Sequence, residues 1–437
     1  MTKQPGLARL LLISSALVAP GVVHAQSATA DTTDTQSAPA GNEQDAQDTQ
    51  TEQPDISVPG AEIVVTGRAY SVERATPQVV SVLSSADIAR TGEGDIAGAL
   101  GRVTGLSVVG NGYVYVRGLG DRYSLALLNG SPLPSPEPLR RVVPLDIFPT
   151  SVIASSLVQK SYSVNFPGEF GGGVINLTTR ATPQESFLTL GGSVGGDTYT
   201  TDNLGYVYRG SSQDWTGFDN GVRDVPPALQ SFLDSGQRIS DLTTEQQGTI
   251  AAQLINGNNA LVQTNRNMPV NWSASMTGGT SMYLGGDFTL GVVATAGISN
   301  KFRTRETTQQ SPSTSDLSEK ELNFDRVITD EHMVANALLG LSLDFGENRI
   351  RWTNLYIRDT LKQARLGIGE RATTAPDATF MQQDTAWYER QLFSSQLVGE
   401  FKGGDALSVD WRLAYANSQR EAPDEISFEY YRSNRAD

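Results

Sequence analysis

The sequence predicts a small α+β domain followed by an antiparallel sheet that crosses a membrane as a β-barrel. Three observations support this fold class. Residues 1–25 have the build of an export signal, and from about residue 185 onward polar and apolar side chains alternate with a period of two. No window after the signal holds about 18 consecutive apolar residues, so any later crossing must be made by strands.

The export signal comes first. Lys3 and Arg9 precede an apolar run over Leu10–Ala19, and Val23–Ala25 is typical of a cleavage site. The apolar run is interrupted well short of the roughly 20 residues that a transmembrane helix needs. We therefore expect residues 1–25 to direct export and to be removed.

Composition excludes several functions. Acidic residues outnumber basic ones by 48 to 33, and no Lys/Arg cluster is interleaved with aromatic residues, which argues against nucleic-acid binding. The chain has no cysteine, and His332 is the only histidine after the signal. A tight transition-metal site is therefore not expected, and we predict neither a metal nor a cofactor.

Residues 26–60 are almost entirely small or polar, which predicts a disordered linker. A short β-prone segment follows within residues 61–67, made of Glu62, Ile63, Val64, Val65, Thr66 and Gly67. From its residues alone, this segment is either the first strand of the next domain or a strand that adds to a partner's sheet.

Residues 68–181 combine short strands and helices into an α+β domain. A helix is predicted after an N-cap at Ser85 and a second over 94–103, and Asn129-Gly130 predicts a turn. The predicted strands are Val79–Leu83, Leu106–Val109, Tyr113–Arg117 and Leu125–Leu128.

Residues 182–437 contain about seven two-faced strands, for example over Phe288–Ile298 and Ala335–Phe345. Some connections between the strands are tight, such as Gly346–Asn348, whereas about 70 residues separate the first strand from the strand that begins near Asn271. Alternation of short and long connections favours a transmembrane barrel over a soluble sandwich. Seven strands do not close such a barrel, because single-chain barrels use even numbers from about 8 upward. We therefore expect the barrel to be incomplete in this sequence.

Three motifs resemble the TonB-dependent outer-membrane receptors: Glu62–Gly67, Val114–Tyr123 with Leu127–Gly130, and Gly168–Leu177. The proline-rich stretch from Ser131 to Leu145 is similar to a subgroup of that family. The resemblance implies a TonB box at 61–67, a plug domain at 68–181 and the first part of a barrel of about 22 strands at 182–437.

The resemblance also implies a function. A receptor of this family in the outer membrane of a Gram-negative bacterium imports a scarce ligand, here a ferric siderophore or an oligosaccharide. The energy comes from the TonB-ExbB-ExbD system, and TonB pairs with residues Glu62–Gly67 by strand addition. The expected partners are TonB, outer-membrane lipid and a small polar ligand. We do not expect an enzyme.

Candidate site residues follow from these roles. We expect Arg117 to pair with a carboxylate of the barrel wall, and Gly171, Gly172 and Gly173 to run close to that wall or adopt positive φ. Gly118 and Glu169 complete the predicted plug core and gate. Ligand contacts are predicted at Arg122, Tyr123, Ser131 and Ser135, and in loops over 205–267 and 303–331.

Two other functions stay open. A passive outer-membrane channel or adhesin needs neither a plug nor a coupling segment, and a signalling receptor needs an extra domain ahead of residue 61. Gly191–Gly195 matches the Gly-x-Ser-x-Gly sequence motif of a hydrolase nucleophile turn. That turn requires a helix after it, and no helical pattern follows here.

Overall fold

A computed structural model describes residues 79–433, except 111, 138–139, 141, 162–170, 172, 184, 317, 373–374 and 405–406. The predicted signal, linker and TonB box therefore lie outside the described residues. No helix in the described ranges is long and apolar enough to span a lipid bilayer.

The N-terminal domain is a mixed α+β unit. Its five-stranded sheet has the order β1-β6-β7-β4-β5, with β4 and β7 parallel, and β2 and β3 form a separate hairpin. β-branched and aromatic residues dominate strands such as β3, which suits a pleated, buried surface. The elements are β1 Val80–Leu83, α1 Ser85–Thr91, α2 Ile96–Leu100, β2 Leu106–Val109, β3 Tyr113–Val116, β4 Ser124–Leu128, β5 Ser131–Pro132, β6 Ile153–Gln159 and β7 Gly173–Thr179.

Both helices of this domain differ from the predicted bounds. Helix α1 is capped by Ser84 and not by Ser85, because the Ser84 hydroxyl accepts from the Asp87 amide while the Asp87 carboxylate accepts from the Ser84 amide. Helix α2 starts after the cap Asp95 and ends at Leu100, well inside the predicted span of 94–103. Glycines inside that span lower its helix propensity.

The predicted turn at Asn129-Gly130 is confirmed. Both residues have positive φ, of 48° and 78°, and they connect β4 to β5. Two successive positive φ values are typical of the tight hairpin turn that Asn-Gly favours.

The seven predicted two-faced strands are confirmed as one antiparallel sheet, the large sheet, with the order β16-β15-β14-β13-β12-β11-β8. Its strands are β8 Phe187–Gly195, β11 Asn271–Gly285, β12 Phe288–Pro312, β13 Lys320–Phe345, β14 Asn348–Arg371, β15 Ala375–Lys402 and β16 Ser408–Ser433. The predicted loop over 303–331 is wrong, because most of it belongs to β12 and β13. Cross-strand bonds such as Thr308 Oγ1 to Asp325 (2.9 Å) extend the pairing beyond the apolar part of these strands.

Residues 196–270, which we call the insertion, connect β8 to β11. Residues 205–267 of the insertion are predicted as a ligand-binding loop, but the insertion contains a two-stranded sheet and three helices. Thr243 and Gln246 form a capping box, a signal that the sequence carried. The elements are β9 Gly205–Val207, α3 Pro227–Ser235, α4 Thr244–Leu254, α5 Gly257–Ala260 and β10 Gln263–Asn265.

The large sheet has two unlike faces. On β13, Val334 and Leu338 are buried against the N-terminal domain, whereas Leu339, the next residue after Leu338, is 41% exposed on the opposite side. We call these the inner and outer faces. Successive residues of a strand point to opposite faces, so the alternation read in the sequence is the division between them.

Candidate functional site

The candidate site is the contact between the N-terminal domain and the inner face of the large sheet. Its centre is apolar. Phe148 and Val152 of the domain belong to the same buried cluster as Leu338, Leu355 and Leu392 of the sheet. This burial stabilises the seated position of the domain at about 25 cal/mol per Å² of apolar surface removed from water.

A charged network lies beside this apolar contact. Arg390 on β15 donates to both carboxylate oxygens of Asp146 in the N-terminal domain, at 3.3 and 2.9 Å. The same guanidinium donates to Asp359 on β14 at 3.2 Å, and Asp359 is 2.8 Å from His332 Nε2 on β13. Burial raises the pKa of Asp146, and Arg390 opposes that rise by favouring the ionised carboxylate.

A second carboxylate of the N-terminal domain joins the network. Glu137 is 3.7 Å from Arg390 and 3.2 Å from Arg420 on β16. Two arginines of the sheet therefore meet two carboxylates of the domain. A charge pair of this kind holds the domain in one position by bonds that break without covalent change.

A second polar contact, made by a side-chain amide, lies on the same inner face, six residues after Arg390 along β15. Gln396 on β15 donates to the Leu128 carbonyl at 2.9 Å, and its side-chain oxygen accepts from Asn129 at 3.1 Å. Asn129 also accepts from the Thr179 amide at 2.9 Å. The turn after β4 is thus fixed to β7 and to the sheet at once.

The predicted role of Arg117 needs correction. Arg117 lies beyond the end of β3, is exposed and has a φ of 53°. No ion pair joins it to a carboxylate among the described residues. The domain instead supplies carboxylates and the sheet supplies the arginines. Gly118 follows with a φ of 77°, so the two residues form an exposed turn.

The glycine run was also interpreted wrongly in part. Gly173 does not have positive φ, and a Cβ there would lie 2.8 Å from Val116 Cγ1 and 3.0 Å from the Gln159 carbonyl. The close approach is therefore to strands of the domain itself and not to the large sheet. Gly171 has only Tyr123 within 4 Å. Glu169 and Gly172 lie outside the described residues.

The predicted ligand contacts fall into two groups. Arg122 and Tyr123 are exposed, with the Arg122 guanidinium 4.8 Å from the Tyr123 ring centroid. Ser131 is buried, because β5 pairs with β4, and it is not accessible to a ligand in this structure. Ser135 donates to the Val142 carbonyl at 3.0 Å and stabilises its own loop.

The residues that match the hydrolase motif, Gly191–Gly195, lie inside strand β8. Ser193 Oγ is 2.7 Å from Ser273 Oγ on the neighbouring strand. His332 contacts Asp359 in the charged network and does not approach Ser193. These positions do not form a catalytic triad.

Comparison with known proteins identifies the N-terminal domain. Residues 72–174 match the family model described as TonB-dependent Receptor Plug Domain. Receptors with this plug are transporters of the outer membrane. No curated protein matches the chain.

Similar solved structures include three receptors. A mutant ferric enterobactin receptor from Pseudomonas aeruginosa is 13% identical, with a TM-score of 0.29, over 80% of this chain and 59% of that one. A ferric citrate transporter in the unliganded form is 13% identical, with a TM-score of 0.31, over 82% and 49%. A siderophore receptor from Acinetobacter baumannii is 11% identical, with a TM-score of 0.29, over 80% and 56%. The chain spans about half the length of these structures.

Proposed function

We propose, from the premise that residues 72–174 are a plug domain of the TonB-dependent receptors, that the protein is an outer-membrane importer of a scarce polar ligand. In this proposal the large sheet is part of a transmembrane barrel wall in a Gram-negative bacterium. The TonB-ExbB-ExbD system supplies the energy for import by pulling on Glu62–Gly67 and, through that segment, on the plug.

One observation carries the proposal. The plug is seated on the inner face by bonds to Arg390 and Gln396, while the outer face of the same sheet exposes large apolar side chains such as Leu190 and Trp352. An apolar outer face and a polar interior are what a membrane barrel requires. A plug held by non-covalent contacts, apolar packing together with ion pairs and hydrogen bonds, is stable at rest and is released when force is applied.

The inner face also supports a class of ligand. Near the β13 and β15 ends farthest from the plug, Arg371 lies 5.5 Å from the ring centroid of Phe324 and 5.8 Å from that of Phe380. The Nε–H groups of Arg326 and Arg371 are buried and have no hydrogen-bond acceptor among the described residues. Both guanidiniums also donate to neighbouring side chains, Arg326 to Gln382 and Arg371 to Glu429. This cluster of arginine and aromatic side chains favours an anionic ligand such as a ferric chelate, with an oligosaccharide as the alternative.

A reversible cross-link tests whether the plug must move. Ser151 Oγ of the plug lies 3.5 Å from Asn336 Oδ1 of β13, and the chain has no cysteine of its own. The double variant Ser151→Cys with Asn336→Cys, made in the full-length protein, is expected to lose ligand uptake when oxidised and to regain it on reduction. Each single variant is the control and should transport in both conditions. Undiminished uptake by the fully cross-linked protein would contradict the proposal.

A further inference from the structure

The outer face of the large sheet carries an apolar band with an aromatic border at one end. Phe288 and Phe345 stack with ring centroids 5.7 Å apart, and Phe401 lies 6.2 Å from Phe345. Trp411 is also exposed on this face, one row further into the band. Aromatic residues flank the apolar band of transmembrane barrels at both membrane surfaces.

The height of the band locates its other border. Along β13 the outward residues are apolar from Phe345 to Met333, and Glu331 is the next outward residue. This span of about 12 residues is about 40 Å along a strand, or about 28 Å of height when strands tilt by about 45°. That height agrees with the roughly 25 Å expected of a barrel's apolar band. The second membrane surface therefore falls near Met333.

At this level the sheet itself provides few exposed aromatic residues, and the insertion covers it. Hydrogen-bonded pairing places Trp272, Met333 and Thr360 in one row across the sheet. Thr360 Oγ1 donates to the Gly217 carbonyl at 2.7 Å, and Arg358 Nε donates to it at 3.1 Å. The turn of the insertion that contains Gly217 is thus bonded to the wall at the edge of the band.

A buried ion pair fixes this turn. The Arg223 side chain is 0% exposed, lies 2.7 Å from Asp214 and 2.6 Å from Asp219, and its guanidinium is 3.9 Å from the Trp387 ring centroid. Lys362 of β14 lies 2.8 Å from Asp214. The insertion is therefore docked on the wall and cannot be treated as a loose loop.

We propose that this turn supplies the missing aromatic border and sits in the interface between lipid headgroups and acyl chains. Trp215 is 53% exposed and pairs with Trp272 at 6.5 Å, and Phe218 is 40% exposed. Indole rings prefer this interface because one edge is polar and the rest is apolar. The inference rests on the proposed function, because it needs the large sheet to cross the membrane.

The partner is lipid because the exposed aromatic residues continue the apolar band without a gap. Trp215 lies next to Trp272, and Trp272 pairs with Val194 of β8, which is largely exposed on the same face. A protein partner would meet a surface whose lower part is already in the membrane. The docked turn therefore fixes how deep the wall sits.

Fluorescence quenching by brominated lipids tests the depth of Trp215. The chain has five tryptophans, and Trp387 is buried. In the full-length protein reconstituted into phosphatidylcholine vesicles, one variant keeps Trp215 and Trp387, and a second keeps Trp352 and Trp387, with the other tryptophans changed to phenylalanine. Emission of Trp215 should be quenched by lipid brominated near the headgroup and protected from aqueous iodide. Trp352, in the middle of the band, should be quenched by deeply brominated lipid.

The two tryptophans separate the possible failures. If Trp352 is quenched by lipid while Trp215 responds only to iodide, the wall crosses the membrane but the insertion does not touch it, and the inference is overturned. If neither responds to lipid, the proposed function fails with it. Should a multiple variant not fold, Trp215→Phe in the otherwise unchanged protein must remove part of the headgroup-level quenching. No change in that variant would equally overturn the inference.

Discussion

Replacing Arg390 with glutamine should loosen the plug from the wall while leaving the large sheet intact. The Arg390 side chain is 12% exposed, and it neutralises Asp146 of the plug and Asp359 of the wall. Glutamine keeps part of the length and the hydrogen-bonding capacity but removes the charge. Asp146 then lacks its closest cation, and Asp359 keeps only His332, at 2.8 Å.

The expected magnitude is large for one side chain. Removing one partner of a buried ion pair costs about 3 to 5 kcal/mol, because the remaining charge stays buried and unpaired. With Gln396 and the apolar contact unchanged, we take about 3 kcal/mol for Arg390→Gln. Since 1.4 kcal/mol is about tenfold in an equilibrium constant, the unseated plug should be about 100-fold more populated.

Hydrogen exchange of the full-length protein measures this population. Amides of the plug loop that the wall covers, such as Phe148, should exchange about 100-fold faster in Arg390→Gln, whereas amides of β13 should keep their wild-type rates. Lys402→Gln is the control, because Lys402 is 60% exposed and its ion pair with Glu347, at 4.0 Å, is long and contributes little to stability. Adding Asp146→Asn should restore part of the lost protection, by about 1 to 3 kcal/mol, since the unpaired carboxylate is then gone. Strictly additive effects of Arg390→Gln and Asp146→Asn would refute the reasoning.

Three further predictions follow from the same contacts. Burial raises the pKa of Asp146 above its ordinary value. The seated plug should therefore become more stable as pH falls through that raised pKa, and less stable as pH rises through it. Asp146→Asn should remove this part of the pH dependence of hydrogen exchange. Gly173→Ala should lower thermal stability by about 1 to 3 kcal/mol, since its Cβ would lie 2.8 Å from a neighbouring side chain, whereas Gly171→Ala, with 3.7 Å to its nearest neighbour, should melt like the wild type. Arg223→Met should leave Asp214 without its bidentate partner and weaken the docking of the insertion on the large sheet by about 3 kcal/mol. Proteolysis within residues 196–270 should then be faster, while the large sheet stays resistant.

The sequence predicts the strands of the large sheet well for a physical reason. Each strand separates an apolar outer face from a mixed inner face. Because successive residues of a strand point to opposite faces, the sequence shows this division as an alternation of apolar and polar residues with a period of two. The prediction fails beyond the band, at Arg303 to Glu331, because both faces are polar there and no alternation marks the strands. Pairs such as Gln310 with Asn323 stabilise that region, and they are visible only once the register is known.

The contacts that seat the plug were not predictable from the sequence. Arg390 and Gln396 fall at polar positions of an alternating strand, where a solvated side chain would look the same. Only the folded structure brings β15 beside the loop that carries Asp146. The Ser84 cap was missed by one residue because two adjacent serines precede the helix, and the hydrogen bonds of Asp87 distinguish them.

The insertion was missed because its helices bury little. Helices α3 and α4 carry no fully buried residue, so an apolar stripe does not stand out. The capping box at Thr243 and the Pro227 and Gly236 pair at the ends of α3 were available as local signals. The buried Arg223 had no such signal, because its carboxylate partners are recognised only in the fold.

Ligand uptake by cells carrying the full-length gene with Val65→Pro tests the central claim most directly. Proline removes the main-chain donor that strand addition to TonB requires, and Val65→Ile is the matched control because it keeps that donor. Ferric chelates and oligosaccharides are supplied in turn. We expect Val65→Pro to abolish uptake of one ligand while binding of that ligand at the cell surface persists, and we expect Val65→Ile to transport normally. Uptake by Val65→Pro at the wild-type rate for every ligand would contradict energised import and favour a passive channel.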